Sequence, residues 1–159
     1  MEYTIREANA DDMPYVLELI KELASFEKEA NAVEVTADDL VNDGFGVEKL
    51  FHCFVAETKS KIVGMALIYN RYSTWKGPII HLEDLVVSET MRSSGLGTEL
   101  LNEVVKYCAK QGVKRISWEV LDWNEPAIAF YEKKGARVLR DWDVVHLDEK
   151  GIQNYLNNI

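Results

Sequence analysis

The run Ile79–Val87, IIHLEDLVV, leads through a short loop into RSSGLGTELLNEVV, and this succession constrains the fold more than any other stretch of the chain. The first segment is apolar apart from two adjacent acids and has the length of a strand. The second carries Leu100, Leu101, Val104 and Val105 at helical spacing, with two glycines where the helix begins. RISWEVL, from Arg115 to Leu121, then reads as another strand. A helix between two such strands implies a parallel crossover lying on one face of a sheet.

Glycine is poor helix material, so its placement at a helix start needs a reason. A helix start leaves backbone N–H groups unpaired and carries the positive end of the helix dipole. Gly95 and Gly97 let a ligand approach that bare backbone, Arg92 adds a positive charge, and Ser93, Ser94 and Thr98 add hydroxyls. Together they suit phosphate oxygens. The P-loop pattern fails because no lysine follows Gly97. The dinucleotide fingerprint fails because its third glycine falls on Leu100. What remains is R-x-x-G-x-G after a strand and before a helix, which a plain helix entry also fits.

The acids in the preceding strand are Glu83 and Asp84. Consecutive strand residues face opposite sides of a sheet, so at least one carboxylate is expected against packed surface. Burying it without a partner is costly. His81 lies near Glu83 on one strand face, placed to tune it.

Elsewhere the pattern is regular. YTIREA alternates as a short strand, and Asn9 with Asp12 forms a capping box ahead of a helix running to about Lys28. Thr36 with Asp39 opens a second helix that ends at NDGFG. FHCFVAE and KIVGMALIYNR read as a hairpin across Thr58–Ser60. After RISWEVL, Asn124 caps EPAIAFYEKK, which Gly135 terminates. VLRDWDVVHLD reads as a last strand before a short helical tail. The order β-α-α-β-β-β-α-β-α-β predicts one mixed, twisted sheet flanked by helices.

At 159 residues, with no linker, repeat or low-complexity tract, the chain is expected to form one domain. Its net charge of −9 has the wrong sign for nucleic acid and favours cationic small molecules. No segment has the length and apolarity of a membrane span, and MEYTIREANADD lacks the features of a secretory signal. Cys53 and Cys108 fall on apolar faces and read as packing residues in a reducing, cytoplasmic setting. His52, His81 and His146 share no ligand spacing, so no metal is expected. Tyr131 shares a helical stripe with Ala127 and Phe130, where it is either a core residue or a proton donor at a cleft.

In order, LEDLVV, the RSSGLG loop and its helix, a strand, and WNEPAIAFYEKKGA resemble the GNAT superfamily of N-acetyltransferases over essentially the whole chain. KELASFEKE, DGFG, FHCFVAE, YSTWKG and LDWN narrow the likeness to the diamine (spermidine/spermine) acetyltransferase subfamily. YSTWKG and VLDWN look most like its thialysine branch, and Ser73 stands where polyamine-specific members carry an acid. The resemblance implies an α/β (mixed α+β) GNAT fold, a single acetyltransferase domain over 1–159, and acetyl-coenzyme A as donor. It implies that Leu85, Val86 and Val87 hold the acetyl-pantetheine arm through backbone groups, like an added strand. Arg92, Ser93, Ser94, Gly95, Leu96, Gly97 and Thr98 would hold the pyrophosphate, with Asn124, Glu125, Pro126 and Ala127 on the other wall. Tyr131 would protonate the departing thiolate, and Glu83 would deprotonate the amine through water. Phe26, Glu27, Trp75, Glu83, Asp84, Trp118 and Glu119 would shape the amine pocket.

These implications add up to direct acetyl transfer, in a ternary complex, to the primary amine of a small cation, thialysine or a lysine-like amine, by a cytoplasmic homodimer. Polyamine acetylation, a non-catalytic acyl-CoA-binding module and a protein or peptide N-acetyltransferase are the competing readings.

Overall fold

Capping residues decide where the first helices begin. In the computed structural model, which describes residues 2–59 and 61–159, Asn9 accepts from the Asp11 amide while Asp12 accepts from the Asn9 amide, closing the expected capping box. It opens a 3₁₀ turn, Ala10–Asp12, that leads into α1 (Met13–Phe26). Thr36 and Asp39 form the same reciprocal pair at the start of α2 (Ala37–Phe45). The left-handed glycines Gly112 and Gly135 lie just beyond α3 (Leu96–Gln111) and α4 (Glu125–Lys133).

The chain divides into two compact units, Met1–Glu119 and Val120–Ile159. The first is built on a five-stranded mixed sheet in the order β1 (Thr4–Glu7), β2 (His52–Glu57), β3 (Ile62–Ser73), β4 (Gly77–Val87), β5 (Ile116–Ser117). β1 to β4 are antiparallel neighbours, and β5 joins β4 in parallel. The expected hairpin is therefore present, although Ser60 in its turn lies outside the described residues.

Alternation sorts the sheet into two faces. Cys53, Val55, Met65, Leu67 and Val86 pack with Met13, Val16, Leu17 and Leu19 of α1 and Leu40 of α2. On the other face Leu96, Leu100, Leu101, Val104 and Cys108 of α3 are buried. A Cβ on Gly64 would stand 3.1 Å from Leu100 Cδ1 and 3.3 Å from Leu96 Cδ2, so glycine lets this helix lie close on β3. Burial pushes the Cys53 thiol up to about 12 and the Cys108 thiol to about 11, which leaves both as inert packing groups.

Two expected strands differ. RISWEVL pairs only at Ile116–Ser117, opposite Ile80 and His81, because the ladder stops just before an irregularity in β4. VLRDWDVVHLD forms no strand: no backbone pairs with residues 138–147 among the described residues, and Val144, Val145 and Leu147 are exposed. Alternating side chains make a strand only where a partner completes the ladder. In this second unit Asp148 caps α5 (Glu149–Leu156), the expected helical tail.

Candidate active site

The irregularity in β4 is a one-residue bulge. Leu67 of β3 pairs with Asp84, yet its neighbour Ile68 pairs with Leu82, so Glu83 is the extra residue. Its consequence corrects the simple alternation expected of two adjacent acids. His81, opposite Tyr69, and Asp84, opposite Leu67, lie on the face that also carries Met65. Counting from His81, Glu83 returns to that same face. The bulge thus presents both carboxylates to one side of the sheet.

Glu27, the C-cap residue of α1, completes an acidic group there. The Asp84 carboxyl is pushed up to about 6 by burial first, then by the charges of Glu83 and Glu27. Burial also raises the Glu27 carboxyl. Such a cluster is repulsive by itself and attracts a cation. Glu83 is the more open of the two β4 acids, with 53% of its side chain exposed.

Beyond the bulge β4 has a neighbour, among the described residues, only on the β3 side. The Ser88 amide donates to the Val63 carbonyl at 2.9 Å, so by alternation the Val86 amide also faces β3. The N–H and C=O groups of Leu85 and Val87 consequently line the open edge. An extended chain of amides can complete such an edge as a strand would.

The same strand delivers the chain to α3 through the 3₁₀ turn Glu89–Met91. Ser93 and Gly95 are both left-handed, with φ of 63° and 88°. A Cβ on Gly95 would meet nothing within 4 Å, so glycine is required there by its backbone conformation. The amides of Gly95 and Gly97 have no partner among the described residues, whereas those of Thr98 and Glu99 both donate to the Gly95 carbonyl. This is the donor set of a helix start suited to phosphate oxygens, and it fits a coenzyme diphosphate. Arg92 sits with its guanidinium 5.5 Å over the Phe26 ring and 3.8 Å from Glu22, at the C-terminal end of α1.

Two loop residues make contacts within the fold. The Ser94 hydroxyl donates to the Met91 carbonyl at 2.6 Å, so it braces the turn rather than offering its proton outward. Leu96 is buried in the core, and its amide donates to Ser94 Oγ at 3.4 Å. Trp75 is exposed at the β3–β4 turn, where the Trp75 and Lys76 amides both donate to Ser73 Oγ at 3.2 Å. Trp118 and Glu119 follow β5 directly.

In the second unit, Asn124 accepts from the Ala127 amide and caps α4, with Glu125 and Pro126 in its first turn. Tyr131 is half-buried on this helix, its ring 5.3 Å from that of Phe130.

The structure brings together Glu27, Glu83 and Asp84, and links Phe26 to Arg92. Sequence reasoning missed Tyr69, which pairs with His81 and feels the Glu83 charge, and Ser117, whose Oγ lies 2.8 Å from His81 Nδ1. Only the pairing of β3, β4 and β5 makes these residues neighbours.

A model of the Acetyltransferase (GNAT) family matches residues 13–136. The chain is 37% identical over 150 residues to a thialysine N-epsilon-acetyltransferase of Bos taurus, covering 89% of this chain and 88% of that protein. It is 36% identical over 152 residues to a spermidine/spermine N(1)-acetyltransferase-like protein of Homo sapiens, covering 91% of this chain and 22% of that protein. In backbone it resembles an integron cassette protein from the mobile metagenome of V. cholerae, with a TM-score of 0.79, 21% identity and 98% of each chain covered, a likeness of fold.

Proposed function

The chain belongs to the GNAT family of acetyltransferases and is an amine N-acetyltransferase, and from that premise we propose that it moves the acetyl group of acetyl-coenzyme A onto a short lysine-like amine such as thialysine. The observation that carries the choice of a cationic amine is the bulge of β4, which turns Glu83 and Asp84 to one face beside Glu27. A lysine-like amine has a free pKa of roughly 10.4, so at neutral pH it arrives as a cation and must lose a proton before it can attack.

The acidic group binds the ammonium, and Glu83, the more exposed of the two β4 acids, takes its proton directly or through water. The thioester supplies the acetyl group. The open-edge amide of Leu85 is placed to stabilise negative charge on the attacked carbonyl oxygen. The Gly95 and Gly97 amides hold the diphosphate, with Arg92, Ser93 and Thr98 alongside, and the open-edge groups of Leu85 and Val87 carry the pantetheine arm, the Val86 backbone being turned to β3. Tyr131 enters through the WNEPAIAFY motif, with Asn124 to Ala127, as the proton donor to the departing thiolate.

Ser73 favours a short amine over a polyamine, because its hydroxyl shapes the β3–β4 turn and carries no charge. The free, buried thiols accord with a reducing cytoplasm. The exposed apolar side chains of the second unit, Trp142, Val145, Leu147 and Tyr155 among them, accord with a homodimer.

One amine panel tests the reading. With acetyl-coenzyme A as donor, thialysine should give a higher kcat/KM than spermidine, and Tyr131→Phe should lower kcat by roughly 10²–10⁴-fold. Spermidine winning the panel would overturn the substrate assignment, and wild-type turnover in the variant would remove Tyr131 from the chemistry.

A further inference from the structure

Behind Glu83 lies a buried histidine that the proposed chemistry does not use. His81 is 5% exposed, directly across from Tyr69 on β3 and beside Ser117 on β5. Its Nδ1 stands 2.8 Å from Ser117 Oγ and 3.5 Å from Arg71 Nη1, while its Nε2 stands 3.7 Å from Glu83 Oε2. A guanidinium can only donate. The Ser117 hydroxyl can donate or accept, but the approach of Arg71 makes Nδ1 the acceptor, and in a neutral ring the proton then sits on Nε2.

We propose that His81 is a positioning residue for the general base: Ser117 and Arg71 fix its tautomer so that the Nε2–H faces the Glu83 carboxylate. The proposal rests on the reading of Glu83 as the base. Tyr69 lies on the same face as Glu83, and burial first and then the Glu83 charge raise its hydroxyl. The groups facing the imidazole are Tyr69 and Arg71 from β3, Glu83 from β4, and Ser117 and Glu119 from β5 and the residues after it. Burial holds the imidazole below its ordinary value; Arg71 acts in the same direction and Glu83 and Glu119 oppose it. His81 therefore stays uncharged at neutral pH and steadies an ionised Glu83 without cancelling the negative charge that attracts the amine.

The test has two arms. In the first, nitrogen-15 NMR of the imidazole in the full chain, with no substrate present, reads the tautomer directly. The Nε2–H form should dominate at pH 7, and Ser117→Ala should mix the two forms. A proton found on Nδ1 in the unaltered protein overturns the proposal. This arm needs no turnover, so its result is separate from any failure to find an acetylated amine. In the second, the pH profile of kcat/KM for thialysine is compared in the wild type, His81→Phe and His81→Gln. His81→Phe should lower kcat/KM at pH 7 by about two- to tenfold and move the acid limb to higher pH. His81→Gln, which keeps an N–H donor, should restore part of both. An unmoved acid limb in a His81→Phe protein that unfolds at the wild-type temperature overturns the positioning role.

Discussion

Asp12 and Asp84 are both aspartates withdrawn from solvent within the first unit, and they are treated in opposite ways. Asp12 receives two hydrogen bonds from Arg6, at 2.7 and 2.9 Å, and a third from the Asn9 amide. The Arg6 bonds hold its carboxyl below the usual carboxylate range, against the opposing effect of burial. Arg6 also reaches Glu57, which ties β1, β2 and the entry to α1 together. Asp84 faces two further acids and is pushed up to about 6. One carboxylate meets its counter-charge within the fold, and the other faces like charges and, in the function proposed, meets its counter-charge in the amine. A buried acid at a structural joint is matched internally, whereas a mismatched one marks a place where a cation is to arrive.

The comparison can be broken most forcefully at Arg6. Arg6→Met leaves Asp12 buried without its partner and should cost about 3 kcal/mol in urea unfolding at pH 7, with kcat/KM per folded molecule unchanged. A loss under about 1 kcal/mol would show that Asp12 is no structural joint. Because the Asp12 carboxyl is lowered in the folded chain, its contribution is present above the unfolded pKa and fades on acidification through the folded one.

Asp84→Asn should have the opposite sign. A raised carboxyl favours the folded state only while protonated, so wild-type Asp84 begins to destabilise above its unfolded value of 3.8 and does so fully above about 6. The variant should therefore be more stable at pH 8, by up to about 3 kcal/mol, with the gain vanishing towards pH 4. Its KM for a cationic amine should rise. Equal thermal stability of the two proteins across that range would refute the assignment.

Glu27→Gln sharpens the contrast with the smallest effect. Removing one like charge while leaving the bulge intact should stabilise the fold by about 0.5 kcal/mol at pH 8. It should also move the pH dependence assigned to Asp84 downward, read from melting temperature against pH. No movement would take Glu27 out of the acidic group.

What could be read from the sequence was local. The two capping boxes, the glycines that end α3 and α4, and the loop with bare amides all depend on residues within a few positions of one another. The bulge left no trace because IIHLEDLVV reads as an unbroken strand, and only the β3 register exposes Glu83 as the extra residue. The shortness of β5 and the absence of a strand over 138–147 are facts about partners, which side-chain alternation does not encode. The link from His81 to Ser117 spans 36 positions and appears only when β5 is laid beside β4.

The half-finished ladder of β4 has a kinetic signature. Amide protons of Val86 and Ser88, turned to β3, should exchange with deuterium at the pace of a sheet interior, while those of Leu85 and Val87 should exchange like surface amides. Fast and slow clocks would thus alternate residue by residue along a single strand. An occupant lying along that flank would slow the fast set and leave the slow one unchanged, so the docking of an acyl donor could be timed without watching any chemistry.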